Sequence, residues 1–153
     1  MNTMDTRLQT VQAPGETGID YLRRLMANEG AAPIGVLLGL RLIEVGDGIA
    51  VFEGRPTPQF FNPRRIMHGG WTATLMDSAL GCAIHTRLGA DVGYGTVDLK
   101  VHYIRPVTLE MERVICRAEA LHVGRRTATS QGRVETPDGK LIAHGSCTCL
   151  IGM

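Results

Sequence analysis

The sequence predicts an α+β domain in which an antiparallel sheet wraps around one long buried helix. The run that follows Gly69 and Gly70 is apolar nearly all round until Gly89, which is typical of a buried helix. After Gly93 the chain forms extended, alternating segments separated by short turns, so the sheet must be mainly antiparallel. One face of that sheet has to cover the helix. A small sheet leaves apolar surface uncovered, so we expect a dimer with a continuous sheet.

A second, amphipathic helix is predicted ahead of the sheet. From Thr17 to near Gly30, apolar residues recur at helical spacing between charged ones. Residues 1–15 contain a Pro-Gly pair and no sustained periodicity, which predicts a flexible arm. The remaining residues, 16–153, are enough for a single domain with one core.

The strands are bounded by proline and glycine. A Gly-Asp-Gly turn at 46–48 is a strong hairpin signal between the first two strands. In the third strand the alternation predicts Val97 on the same face as Leu99, Val101 and Tyr103. The predicted strands are Leu38 to Val45, Ile49 to Gly54, Gly95 to Arg105, Met111 to Val123, Arg125 to Thr136 and Leu141 to Ile151.

Composition and charge exclude several classes of protein. Hydrophobic residues make up 44% of the 153 residues and charged residues 20%, as in a soluble globular protein. A formal charge of +1 argues against broad nucleic-acid binding. The N-terminus carries Asp5 and Arg7, so it does not resemble a signal peptide, and the longest apolar stretch, Gly30 to Leu40, is about half of a bilayer span. We therefore expect a soluble, cytoplasmic protein without a membrane partner.

The four cysteines are too few and too scattered for a disulfide framework. His144, Cys147 and Cys149 could suggest a metal site, because Cys-x-Cys places both thiols on one face of a strand. A structural zinc site usually needs a second ligand pair at loop spacing, and the sequence has none. We expect buried structural cysteines and no metal.

Asp77 is the only acidic residue between Ile66 and Ala90, within the predicted buried helix. A carboxylate on such an element costs several kcal/mol unless it is neutralised or hydrogen-bonded. Asp77 is therefore a candidate functional residue. The alternative is a structural Asp whose partner is Thr74 or Ser78.

The sequence His68-Gly69-Gly70 marks the start of the buried helix. Free N–H groups in the first turn of a helix attract negative charge, and glycines let a ligand approach the backbone. These features predict an oxyanion hole. Asp77 lies about 12 Å further along the helix axis, so both groups can act on one carbonyl only if they come from different subunits. We therefore predict two equivalent sites at a two-fold interface.

Several motifs together carry a resemblance to a known family. Asn62-x5-His68-Gly69-Gly70-x6-Asp77 is followed by Thr96-Val97-Asp98-Leu99 and by Tyr103-x-Arg105-Pro106. From about Ile34 to Ile151 the chain resembles the hotdog-fold acyl-CoA thioesterases of the phenylacetate-pathway (PaaI-like) type. The resemblance implies a hotdog fold, with dimers paired into tetramers, and no cofactor, since coenzyme A is part of the substrate.

The resemblance also implies roles for individual residues. Asp77 matches the carboxylate nucleophile or general base, and Gly69 and Gly70 match the turn that polarises the thioester carbonyl. Asn62 matches a side chain that binds this carbonyl or orients water, and Thr96 matches a hydroxyl near the acid. His68 is expected to shape the loop rather than transfer a proton. Trp71 and Met67 are expected to line the acyl pocket.

A glycine turn beside two arginines is the candidate site for the phosphates of CoA. By resemblance, His122, Val123, Gly124, Arg125 and Arg126 contact the nucleotide end of CoA, with Tyr103 nearby. The planar guanidinium of arginine donates two hydrogen bonds to a phosphate. From spacing alone, the same turn is also typical of an exposed hairpin with two solvated arginines.

The sequence therefore favours hydrolysis of an acyl-CoA thioester. A thiol with a pKa near 8.5 leaves readily, so one base and one oxyanion hole can suffice. A hotdog dehydratase and an acyl-CoA-binding sensor without turnover are the alternatives. The sequence leaves open the acyl group, the nucleophile or base role of Asp77, and the choice between dimer and tetramer.

Overall fold

The structure, a computed structural model, describes residues 11–29 and 31–153. Residues 1–10 of the predicted arm, and Gly30 at the predicted end of the first helix, lie outside the described residues, so the boundary between arm and domain stays a prediction. The helices are α1 (Gly18–Ala27), α2 (Pro33–Leu38) and α3 (Gly69–His85), with a short 3-10 turn at Pro58–Phe60. The strands are β1 (Leu40–Gly46), β2 (Ile49–Gly54), β3 (Tyr94–Tyr103), β4 (Val114–Val123), β5 (Thr127–Glu135) and β6 (Leu141–Ile151).

The strands form one antiparallel sheet in the order β1-β2-β4-β5-β6-β3. Helix α3 lies across one face of the sheet and contacts all six strands. This is the hotdog arrangement, and the predicted α+β class with an additional N-terminal helix is confirmed. The edges of the sheet are β1 and β3. In the part of the chain that the structure describes, no helix is long and apolar enough to cross a membrane.

Helix α3 fills the core because its apolar side chains point toward the sheet on one side and toward α1 on the other. Leu75, Met76 and Leu80 are completely buried. Helix α1 docks at the far end of α3 through Gly18, whose N–H donates to the Leu88 carbonyl over 3.1 Å. A Cβ on Gly18 would lie 1.8 Å from the carbonyl oxygen of His85, so only glycine permits this contact.

Several predicted boundaries differ from the structure. In the sheet, β3 ends at Tyr103 rather than Arg105, and β4 begins at Val114 rather than Met111. The sequence predicts that helix α3 reaches Gly89, but the helix ends at His85. Helix α2 is not predicted, because Pro33 reads as a break in the chain. Proline is in fact well suited to the first turn of a helix, where its missing N–H would have no partner. Gly39 ends α2 with a φ of 69°, and β1 begins at Leu40 rather than Leu38.

The predicted alternation in β3 is wrong at Val97. Thr96 pairs with Cys149 and Asp98 with Thr148, so Val97 is the additional residue of a β-bulge. The bulge lets both Thr96 and Leu99 face α3, whereas regular alternation would place them on opposite faces. Val97 itself is 53% exposed.

Candidate active site

The predicted site residues fall into two groups at different points along α3. We call Asp77 and Thr96 the carboxylate half-site, and Asn62, Gly69 and Gly70, with the His68 cap, the amide half-site. Asp77 lies eight residues beyond Gly69 on the same helix, a separation of about 12 Å. One chain therefore cannot bring both half-sites to a single carbonyl group.

In the carboxylate half-site, the Thr96 hydroxyl donates to Oδ1 of Asp77 over 2.9 Å. Among the described residues, neither alternative partner binds Asp77. The Thr74 hydroxyl donates to the Gly70 carbonyl at 2.8 Å, and Ser78 makes no hydrogen bond to the carboxylate. Among residues 11–29 and 31–153, no hydrogen-bond donor is paired with Oδ2 of Asp77. The half-buried carboxylate thus has one oxygen held by Thr96 and the other available to a water or substrate.

A cavity of about 390 Å³ opens beside Asp77, between α1, α2, α3 and β3. Its wall is largely apolar and includes Leu22, Phe52 and Tyr94, with the Cys82 thiol close to the acid. Burial, and secondly the charge of Asp77, raise the pKa of Cys82 to about 12. Cys82 is therefore a protonated thiol rather than a nucleophile.

His68 caps the amide half-site. Its Nδ1 accepts a hydrogen bond of 2.9 Å from the Gly70 N–H, and Tyr103 Oη donates to the Gly69 carbonyl over 2.7 Å. Within the described residues, the Gly69 N–H has no acceptor. The prediction assigned both glycines to the oxyanion hole, and the structure has only the Gly69 N–H free at the positive end of α3.

Asn62 organises the loop that precedes His68. Its Oδ1 accepts from the N–H groups of Arg64 and Ile66, at 2.9 and 3.4 Å. The His68 N–H donates to the Phe60 carbonyl over 2.8 Å, which holds the loop against the first turn of α3. Since the amide oxygen is used inside the loop, the amide NH2 is the part of Asn62 that can bind a ligand.

A second cavity, of about 320 Å³, adjoins the amide half-site. His68, Gly70 and Trp71 line it. The Trp71 ring is buried, and its N–H donates to the Leu38 carbonyl over 2.9 Å. Met67 is buried in the core and is not part of this wall. The acyl-pocket role of Trp71 and Met67 stays a prediction.

The predicted CoA loop lies at the opposite end of β3 from Tyr103. The Ile151 N–H donates to the Arg126 carbonyl over 2.9 Å, and Ile151 pairs with Tyr94, at the start of β3. Tyr103 is nine residues further along, about 30 Å in an extended strand. Within one chain Tyr103 is therefore not near this loop. A role in CoA binding stays a prediction for the residues of this loop, which are His122, Val123, Gly124, Arg125 and Arg126.

The candidate metal ligands are not brought together. Cys147 and Cys149 are buried, with their sulfur atoms 3.8 Å apart. His144 is exposed and stacks on His102, with ring centres 4.8 Å apart. An even-numbered and an odd-numbered residue of one regular strand point to opposite faces, which separates His144 from both thiols.

Sequence reasoning missed the hydrogen bond between Tyr103 and Gly69 and the contribution of Tyr94 to the carboxylate cavity. Neighbouring residues in the sequence indicate neither contact. Tyr103 and Gly69 lie 34 residues apart, and Tyr94 lies on a different element from Asp77. The position of Tyr94, two residues before Thr96, is the only sequence feature that could have indicated the second contact.

The fold and the two half-sites define a hotdog-fold thioesterase. A family model described as "Thioesterase superfamily" matches residues 65–143, and the chain belongs to this superfamily, as a PaaI-like member. The chain is 30% identical over 118 residues to acyl-coenzyme A thioesterase 13 of Homo sapiens, which covers 76% of this chain and 83% of the human protein.

Solved structures agree with this assignment. A conserved protein from Pseudomonas aeruginosa is 32% identical, with a TM-score of 0.74 over 81% of this chain and 97% of that one. A mutant of the phenylacetic acid degradation protein PaaI from Thermus thermophilus is 30% identical, with a TM-score of 0.69 over 78% of this chain and 98% of that one. The E. coli PaaI protein is 18% identical, with a TM-score of 0.74 over 87% of this chain and 92% of that one. At this level of identity the similarity supports the fold alone.

Proposed function

We propose that the protein hydrolyses an acyl-CoA thioester to a free carboxylic acid and CoA. Each of two equivalent sites would combine Asp77 and Thr96 of one subunit with Gly69 and Asn62 of the partner subunit. The observation that carries this proposal is the position of the half-sites beside opposite ends of β3. Thr96, near the start of the strand, contacts Asp77, and Tyr103, at its end, contacts Gly69.

Strand β3 is an edge of the sheet, and an unpaired edge favours pairing with another strand. Val97 and Tyr103, together with Ile104 just beyond the strand, are at least half exposed. If two β3 strands pair antiparallel about a two-fold axis through their middle, the Thr96 end of one lies beside the Tyr103 end of the other. This pairing supports the homodimer, with the homotetramer as a pair of such dimers.

The chemistry of the composite site follows from its groups. The Gly69 N–H and the Asn62 amide would donate to the carbonyl oxygen as it gains negative charge. Asp77 would either take a proton from the attacking water or attack the carbonyl to form an anhydride, which water then hydrolyses. In both routes the C–S bond breaks and CoA leaves as a thiolate that takes up a proton. Thr96 would hold Oδ1 so that Oδ2 faces the substrate.

The names of the relatives support CoA thioesters as the substrates, because the human relative is an acyl-coenzyme A thioesterase. The largely apolar cavity beside Asp77 supports an apolar acyl group. The loop around Arg125 and Arg126 would contact the phosphates of CoA, and no cofactor takes part in the reaction.

The test is thiol release from a panel of acyl-CoAs, from acetyl to palmitoyl with phenylacetyl and benzoyl, by wild type and Asp77→Asn. We expect the variant to fold and to lose about 10²- to 10⁴-fold in turnover. Asp47→Asn is the matched control, since Asp47 is exposed in the β1–β2 turn, and should keep full activity. Binding of acyl-CoA without release by wild type would instead support a sensor, and full activity of Asp77→Asn would refute the mechanism.

A further inference from the structure

We propose that Tyr103 is a positioning residue for the amide half-site, which it orients by holding the peptide group between Gly69 and Gly70. This inference rests on the proposed function, because it assumes that the Gly69 N–H binds the carbonyl oxygen. It gives Tyr103 a role different from the predicted contact with CoA.

Tyr103 holds Gly69 in two ways. Its hydroxyl donates to the Gly69 carbonyl at 2.7 Å, the ordinary length of a well-formed O–H···O hydrogen bond. A Cβ placed on Gly69 would lie 3.3 Å from both Cζ and Oη of Tyr103, so the ring lies directly against the glycine. The first residue of α3 is therefore fixed by contacts from the end of β3.

The same peptide group also has a partner on its N–H side. The carbonyl of Gly69 and the N–H of Gly70 belong to one planar unit, and this N–H donates to His68 Nδ1 at 2.9 Å. The resulting chain runs from the Tyr103 hydroxyl through the peptide to the imidazole. Hydrogen bonds in such a chain polarise one another, and both ends of the peptide are fixed. The Gly69 N–H belongs to the preceding peptide, whose His68 carbonyl accepts a hydrogen bond of 2.9 Å from the Trp71 N–H. The peptides on both sides of Gly69 are thus held, and together they set the direction of this N–H.

The hydroxyl of Tyr103 is suited to donate permanently. Partial burial raises the pKa of Tyr103, so the group keeps its proton across the physiological range. Tyr103 is 53% exposed, and its side chain is not part of the core. The phenol therefore adds little to the core, and its hydroxyl is directed at the Gly69 carbonyl.

The sequence provides a direct probe of this peptide. Gly69-Gly70 is the only Gly-Gly pair in the chain. When glycine alone is labelled with 13C at the carbonyl and with 15N, an HNCO spectrum contains one peak, from this peptide. In Tyr103→Phe the ring remains and the hydroxyl donor is lost, so we expect the carbonyl frequency of this peak to shift. In the control His102→Ala, whose side chain stacks on His144, the peak should stay in place.

Kinetics with acyl-CoA then distinguish positioning from CoA binding. Loss of one positioning hydrogen bond should lower kcat by about five- to tenfold in Tyr103→Phe, with KM changed less than about twofold. His102→Ala should keep both constants. A rise in KM at unchanged kcat would overturn the proposal and would favour a contact between Tyr103 and CoA. An HNCO peak that does not shift in Tyr103→Phe would also overturn the proposal.

The two proposals can fail separately. The HNCO measurement needs no substrate, so a shifted peak remains informative even if Asp77→Asn keeps full activity and the proposed mechanism fails. If Asp77→Asn is inactive while Tyr103→Phe has wild-type kcat, only the positioning role is refuted. Circular dichroism and size-exclusion chromatography of each variant establish that fold and assembly are retained.

Discussion

The two half-sites are held by different kinds of structure. The amide half-site is built from consecutive residues, 62–70, whose backbone and side-chain hydrogen bonds close one loop onto the start of α3. The carboxylate half-site joins Asp77 to Thr96 on another element, and α1 forms part of its cavity wall. One half-site offers hydrogen-bond donors and the other an acceptor. Each is therefore chemically incomplete, and in the proposed composite site the two would together meet the needs of thioester hydrolysis.

After the loss expected for Asp77→Asn, the largest expected effect tests the donor side of this comparison. Gly69→Pro removes the Gly69 N–H at the first helical position, where proline is favoured. His68, with a φ of −58° and a ψ of 136°, already has the extended conformation that a residue before proline adopts. We expect kcat/KM in the thiol-release assay to fall about 10²- to 10³-fold, as on loss of an oxyanion-hole donor.

Gly69→Ala is the matched control for this substitution. It adds the same Cβ against Tyr103 but keeps the N–H, so its loss of activity reports the steric effect alone. We expect this loss to be at most about tenfold, because Tyr103 is about half exposed and its ring has room to move away from the added Cβ. Equal losses in the two variants would show that the Gly69 N–H is not a catalytic donor.

The next prediction tests whether the half-sites act across subunits. Asp77→Asn and Gly69→Pro chains are co-expressed with different tags, and the mixed dimer is purified over both tags. In a composite arrangement one of its two sites has both wild-type half-sites, so we expect about half of the wild-type activity. If each site lay within one chain, both sites of the mixed dimer would carry a substitution. Activity no higher than that of the parent variants would then exclude the composite site.

The amide half-site could be predicted in greater detail than the carboxylate half-site, and the reason is physical. The turn at His68-Gly69-Gly70 depends on contacts within a few residues, so its composition identified it as a helix start with free donors. The contact between Asp77 and Thr96 depends on the β-bulge at Val97, which changes the face of the sheet to which the following residues of β3 point. The alternation of apolar residues gave no sign of this bulge. The resemblance to thioesterases named Thr96, whereas periodicity alone would have placed it away from Leu99.

Other features could not be predicted because they depend on tertiary contacts. The fold class followed from one apolar helix and the short connections between strands. By contrast, the choice between the Gly69 and Gly70 N–H groups required the position of the His68 ring. The separation of Tyr103 from the loop at Arg126 required the pairing of β3 with β6. Distances of this kind depend on the strand order β5-β6-β3, which hairpin signals alone do not determine.

The smallest expected effect concerns the cover of the carboxylate half-site. Glu16 accepts hydrogen bonds from Nε and Nη2 of Arg24, at 2.8 and 2.9 Å, and thereby ties the segment before α1 to the helix. The hydrogen bonds from Arg24 lower the pKa of Glu16 from its ordinary 4.5 to about 2. At neutral pH, Glu16→Gln should therefore lower Tm by at most about 4 °C, as expected for a partly exposed ion pair.

The sign of the pH dependence follows from the lowered pKa. The unfolded chain takes up a proton at Glu16 near pH 4.5 and the folded chain only near pH 2, so the stabilisation is complete above pH 4.5 and is lost as the pH falls toward 2. The difference in Tm between wild type and Glu16→Gln should shrink over this range. Glu44→Gln, which breaks an exposed pair with Arg117, should change Tm by less than Glu16→Gln at neutral pH. A difference that is independent of pH would show that Glu16 acts through packing rather than through its charge.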